Sequence, residues 1–108
     1  MKRHILFLCS RNKLRSPTAE VVFSDHPGIE VDSAGLAHDA EVPLSTEQIA
    51  WADVIIVMET VHRNRLNRNF RGCLKGKRVA VLNIPDEYDY MDSDLVSLLK
   101  IRCAPYLP

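Results

Sequence analysis

Residues 4–9, His-Ile-Leu-Phe-Leu-Cys, form an almost unbroken apolar run, the pattern of a strand buried on both faces of a parallel sheet. Ser16-Pro17 then predicts a helix start, with a hydroxyl cap and a proline in the first turn, where its missing N–H costs nothing. Ala19, Val22 and Phe23 give that helix an apolar side, and Asp25-His26-Pro27-Gly28 ends it. Residues 29–35 alternate like a half-buried edge strand. A short helix over 45–52, capped by Ser45 or Thr46, leads into 53–58, the strongest candidate for a buried strand. A basic helical segment follows, then a strand over 78–84. A last helix is capped by Asp92, carries Leu95, Leu98, Leu99 and Cys103 on one face, and stops near 104 before Pro105.

Four strands alternating with four helices predict an α/β fold: an open four-stranded parallel sheet with helices on both faces, because βαβ crossovers are right-handed. Such sheets place their sites at the carboxyl ends of strands, near the point where strand order reverses. Cys9 leaves the first strand there and Asp86 follows the last.

Composition narrows the class. A chain of 108 residues with 46% apolar content is expected to form a single domain, residues 1–108, with a core that needs no disulfide staples. The net charge of zero makes no global demand for nucleic acid or an anionic membrane. The apolar run ending at Cys9 is too short for a signal peptide, and no stretch approaches the roughly 20 apolar residues of a membrane span. Three widely spaced cysteines do not form a disulfide framework, so a cytoplasmic, thiol-reduced protein is expected. Residues 62–78 hold seven Lys or Arg and no acid, a pattern expected of a solvated helix face, and nucleic acid is not expected as a partner. His4, His26, His38 and His62 share no spacing that marks a site, and no ligand cluster for a metal stands out. Trp51 is expected in the core.

The loop Cys9-Ser10-Arg11-Asn12-Lys13-Leu14-Arg15-Ser16-Pro17 carries the chemistry. A loop between a buried strand and a helix start is an anion site: backbone N–H groups converge and the helix dipole adds positive charge. Five residues between Cys9 and Arg15 suffice to wrap one tetrahedral anion, and the Arg15 guanidinium can grip two of its oxygens. The same field favours the thiolate form of a cysteine placed there.

The loop resembles the C-x-G-N-x-C-R-S-P active-site pattern of the low-molecular-weight protein tyrosine phosphatases. Val31-Asp32-Ser33-Ala34-Gly35 resembles that family's second-strand signature, and Pro85-Asp86-Glu87-Tyr88 through Asp92-Ser93-Asp94 its general-acid loop. Residues 52–66 also resemble the family's third strand and following helix; the likeness thins over 36–51 and 67–77. It implies a cysteine-dependent phosphomonoester hydrolase, acting on a phosphorylated protein or small phosphomonoester through a cysteinyl-phosphate, without a cofactor. Cys9, Arg15 and Asp86 would be catalytic, with Ser10, Arg11, Asn12, Lys13, Leu14, Arg15 and Ser16 binding phosphate. Ser16 would donate to the thiolate, Ser33 would hold a left-handed Asn12, and Tyr88 would wall the cleft. Arg11 replaces the family's loop glycine and Leu14 its second loop cysteine. Ser10 and Lys13 stand where apolar residues wall the cleft, so weak phosphotyrosine turnover, a preference for acidic phosphopeptides and little activity on phosphoarginine are expected. Two other readings stay open: arsenate reduction on the same fold, and a non-catalytic phosphate-binding module.

Overall fold

The structure is a computed structural model that describes residues 2–108. Strand β1 (Arg3–Cys9) leads to helix α1 (Arg15–Phe23), β2 (Ile29–Gly35), α2 (Thr46–Trp51), β3 (Val54–Val57), α3 (Thr60–Phe70), β4 (Arg78–Val81) and α4 (Ser93–Cys103). All strand pairs are parallel, in the order β2-β1-β3-β4. The open four-stranded parallel sheet is therefore as expected. The chain reverses direction across the sheet at β1, whose carboxyl end is the switch point.

Alternation along β1 feeds two cores. Ile5, Phe7 and Cys9 pack with Ala19 and Phe23 of α1 and Leu95, Leu99 and Cys103 of α4. Leu6 and Leu8 pack on the other face with Ile49 of α2 and Leu66 of α3. Each fully buried Leu or Ile contributes about 1.5–3 kcal/mol, so burial on both faces is what holds the short β3 in place. Trp51 packs against the second core and stacks on His4 with ring centroids 4.6 Å apart, at the sheet edge away from Cys9.

Three local expectations change. Helix α1 begins at Arg15 with Leu14 at its N-cap position and no side-chain cap, because the Ser16 hydroxyl is engaged elsewhere. Strand β4 ends at Val81 rather than 84: Asn83 is left-handed at φ 58°, which breaks the ladder. Leu82 and Ile84 stay buried, their N–H groups donating to Val57 and Met58 carbonyls. Leu98 is only half-buried, while Leu95, Leu99 and Cys103, spaced four apart, form the buried stripe of α4. Ser45 caps α2 as expected, with Gln48 completing a capping box. Asp92 caps α4, accepting from the Asp94 N–H.

Candidate active site

Beyond β1, the backbone turns through residues 10–14 under tight control from the segment after β2. The carbonyls of Cys9, Ser10 and Arg11 accept from the N–H groups of Leu36, Ala37 and Glu41 at 2.8–3.0 Å. In a trans peptide the next N–H points opposite its carbonyl, so these bonds turn the N–H groups of Arg11 and Asn12 to the other side of the loop. Among the described residues, the N–H groups of Arg11, Asn12, Lys13 and Leu14 meet no protein acceptor. Gly35 makes the close approach possible: a Cβ there would lie 2.6 Å from the Ser10 carbonyl and 2.5 Å from the Ala40 Cβ.

The loop's one left-handed residue is Asn12, at φ 57°. Arg11 does not have a positive φ, so replacement of the family's glycine imposes no backbone strain there. Asn12 is buried, and its amide sets the polarity of a hydrogen-bond chain. Nδ2 donates to Ser16 Oγ and to Ser33 Oγ, both at 3.0 Å. Ser33 Oγ in turn donates to Glu20 Oε1, and Ser16 Oγ lies 2.9 Å from Cys9 Sγ. With the Asn12 amide donating to it, the Ser16 hydroxyl has its own proton to give the Cys9 sulfur, the arrangement that stabilises a thiolate.

Arg15 is not an exposed first-turn cation: its side chain is 4% exposed. Nη1 donates to Glu59 Oε1 at 2.5 Å and to the Ile84 carbonyl at 2.8 Å. Nε lies 3.7 Å from Asp86 Oδ1. Anchoring Nη1 in this way leaves Nη2 and Nε for an anion in the loop. Asp86 is 65% exposed and lines, with Cys9, Ser10, Arg11, Lys13, Leu14 and Arg15, a cavity of about 400 Å³.

Asn12, Ser16 and Ser33 are buried and do not line that cavity. Tyr88 does not line it; it packs half-buried against the core beside α1 and α4. Arg11 and Lys13 line it but do not offer it uncompensated charge, since Arg11 pairs with Asp39 at 3.4 Å and Lys13 with Glu41 at 3.8 Å. The expected preference for acidic phosphopeptides loses its basis.

Glu20, which accepts from Ser33, was not singled out from the sequence, and neither were two further residues of the site. Glu59 and His62 stand just past the buried strand β3, at the same carboxyl edge that marked Cys9 and Asp86. His62 is buried; its Nδ1 accepts from the Glu59 N–H at 3.1 Å, and its Nε2 lies 3.1 Å from Ser10 Oγ. Burial, and then the positive Arg15 beside it, lower its pKa from 6.5 to about 4, against the opposing pull of Glu59 and Asp86. Because the folded value lies below the unfolded one, this contribution to stability is complete above pH 6.5 and is lost as pH falls towards 4. Unfolding by urea across that window is expected to show wild type losing about 3 kcal/mol more than His62→Gln. Parallel pH profiles for the two would contradict it.

No protein-family model matches the chain, and no curated protein matches it by sequence. Solved structures do match. The YwlE arginine phosphatase from Geobacillus stearothermophilus superposes with a TM-score of 0.74 at 23% identity, over 96% of this chain and 92% of that one. The tyrosine phosphatase Wzb from Escherichia coli K30, in complex with phosphate, gives 0.78 at 20% identity over 98% and 96%. SP-PTP, a low molecular weight protein tyrosine phosphatase from Streptococcus pyogenes, gives 0.77 at 15% identity over 96% and 90%. The chain has the low-molecular-weight protein tyrosine phosphatase fold.

Proposed function

We propose that this chain is a cysteine-dependent phosphomonoester hydrolase working through a cysteinyl-phosphate intermediate. The observation that carries the reading is the directional chain from Asn12 through Ser16 to Cys9, set under a loop of unpartnered N–H groups and an anchored Arg15. In the first step Cys9 Sγ attacks phosphorus, an S–P bond forms, and the P–O bond to the leaving group breaks. Asp86 gives its proton to the departing oxygen. In the second, water attacks the same phosphorus and gives its proton to Asp86, while the S–P bond breaks and returns the thiolate to the Ser16 hydroxyl. Arg15 and the loop N–H groups hold the equatorial oxygens, where the transition-state charge lies. These residues need no metal for any step; among the described residues no cluster of three or more His, Cys, Asp or Glu stands ready to hold one.

The substrate is a phosphorylated protein or a small phosphomonoester. The solved structures it resembles include both an arginine and a tyrosine phosphatase. With Ser10 and Lys13 in place of apolar walls and Tyr88 turned to the core, phosphotyrosine itself is expected to turn over weakly. A reducing, cytoplasmic setting suits the three free thiols, and no helix among the described residues is long and apolar enough to cross a membrane.

Arsenate reduction would require a second thiol close to Cys9. Cys73 is at the far end of α3, roughly 16 Å along that helix from the site. Cys103 is buried in the core, which pushes its thiol up to about 12. Turnover of p-nitrophenyl phosphate, with arsenate and thioredoxin assayed in parallel, tests the reading: phosphate release without arsenate reduction supports it, and the reverse pattern overturns it. The same placement predicts that mild peroxide inactivates the enzyme at Cys9 without forming an intramolecular disulfide, and that over-oxidation follows. A Cys9–Cys73 or Cys9–Cys103 bridge in peptide mass spectra would refute this.

A further inference from the structure

We propose that Ser10, oriented by His62, is a specificity-determining residue whose hydroxyl donates to an oxygen on the leaving group, favouring phosphomonoesters with an acceptor oxygen close to the ester bond. The inference rests on the phosphatase reading and adds the substrate class to it.

The tautomer of His62 sets the polarity of its bond to Ser10. Nδ1 accepts the Glu59 backbone N–H, so it carries no proton. The ring proton of the neutral imidazole is then on Nε2, which donates to Ser10 Oγ. This polarity is opposite to that of a histidine activating a serine nucleophile, where the ring nitrogen must accept the hydroxyl proton. Ser10 is therefore no second nucleophile. Its oxygen is held as an acceptor, and its own proton meets no acceptor among the described residues.

That free proton stands at a telling place. Ser10 follows Cys9 directly and lines the same cavity as the sulfur. The phosphoryl oxygens are served by Arg15 and by the N–H groups of residues 11–14. With those oxygens already served, the Ser10 hydroxyl on the cavity wall is left for the group that phosphorus carries. The pair spans 52 residues of sequence and joins the phosphate loop to the first turn of α3, which also anchors Arg15 through Glu59. Burial of His62 keeps the donor fixed instead of leaving it to rotate with solvent.

The test compares 2-methoxyphenyl phosphate with 2-ethylphenyl phosphate, which match in shape and leaving-group basicity and differ in one acceptor oxygen. Wild type is expected to favour the methoxy ester in kcat/KM by roughly tenfold, the effect of one neutral hydrogen bond. Ser10→Ala should bring the ratio to one. His62→Leu should lower the ratio, and His62→Gln, whose amide N–H can replace Nε2–H, should restore it. A merely structural role for His62 predicts equal losses on both esters and no rescue of the ratio, which would overturn the assignment, as would a wild-type ratio of one or a preference that survives in Ser10→Ala. Cys9-dependent hydrolysis with no preference overturns this inference alone. Absence of Cys9-dependent hydrolysis of either ester overturns the phosphatase reading. Affinities of the two esters for the Cys9→Ser protein, measured by titration calorimetry, then decide whether Ser10 discriminates between them without turnover.

Discussion

Replacing Cys9 by serine is expected to lower phosphomonoesterase turnover by on the order of 10⁵-fold or more while the protein stays folded. The loop is arranged around the Cys9 sulfur: Ser16 has a proton to give it, and the unpartnered N–H groups and Arg15 would surround the phosphorus it attacks. A serine hydroxyl is far harder to ionise, and no general base stands beside it, because the hydroxyl of Ser16 is itself a donor and His62 has its proton on the nitrogen that faces Ser10. The change exchanges one sulfur for an oxygen at a site 3% exposed and leaves the sheet register untouched, so the thermal midpoint should move little. Steady-state kinetics with p-nitrophenyl phosphate and a circular-dichroism melt check both halves. Substantial residual turnover in a folded Cys9→Ser protein would remove Cys9 from the nucleophile role.

The second large effect belongs to Asp86. It lines the cavity, open to water, with Oδ1 3.7 Å from Arg15 Nε. Asp86→Asn keeps the shape and removes the proton, so it should cost between about 10² and 10⁴ in kcat/KM, which reports the step that expels the leaving group, for esters with basic leaving groups. Activated aryl esters, which leave without help, should lose much less. The diagnostic is the slope of log kcat/KM against leaving-group basicity, steeper in the variant. An equal loss along the whole series would mark Asp86 as structural. Asp92 is then no substitute, since its carboxylate caps α4, and Asp89 becomes the residue to test.

Much of this molecule is written in its apolar pattern. The four runs that become strands are buried on one or both faces, and burial is what periodicity reports, so the sheet and its helical layers were legible. The rule that places sites at strand ends also led to Cys9 and Asp86. Applied to the strand 53–58 as well, it would have reached Glu59. His62 was hidden for a different reason: its partner Ser10 is 52 residues away, and no local spacing encodes a bond made across two strands. Glu20 was hidden likewise, one helical turn past Ser16 but committed to Ser33 on a neighbouring strand. Ser16 looked like a cap because hydroxyls at helix starts usually are; here the sulfur and the Asn12 amide take it instead. The early end of β4 turns on a single left-handed asparagine, a residue type that tolerates that conformation without announcing it. Charge was the least legible property. Arg11 and Lys13 look like free cations in the sequence, and only the fold of residues 36–44 over the loop brings Asp39 and Glu41 to them. Surface pairs of this kind are weak, but they cancel the local excess that a substrate would sense.

The central claim is covalent, and it is tested most directly by trapping the intermediate. Asp86→Asn protein mixed with an activated aryl phosphate should still be attacked by Cys9, because that leaving group needs no acid, while hydrolysis of the cysteinyl-phosphate lacks the base that accepts the proton of water. Rapid acid quench followed by peptide mass spectrometry should then find one phosphoryl group on the peptide containing Cys9, absent in the Cys9→Ser, Asp86→Asn double variant. A burst of phenol release equal to the enzyme concentration should accompany it. Turnover with no burst and no phosphoryl group on that peptide, or phosphate found on another residue, would contradict the account.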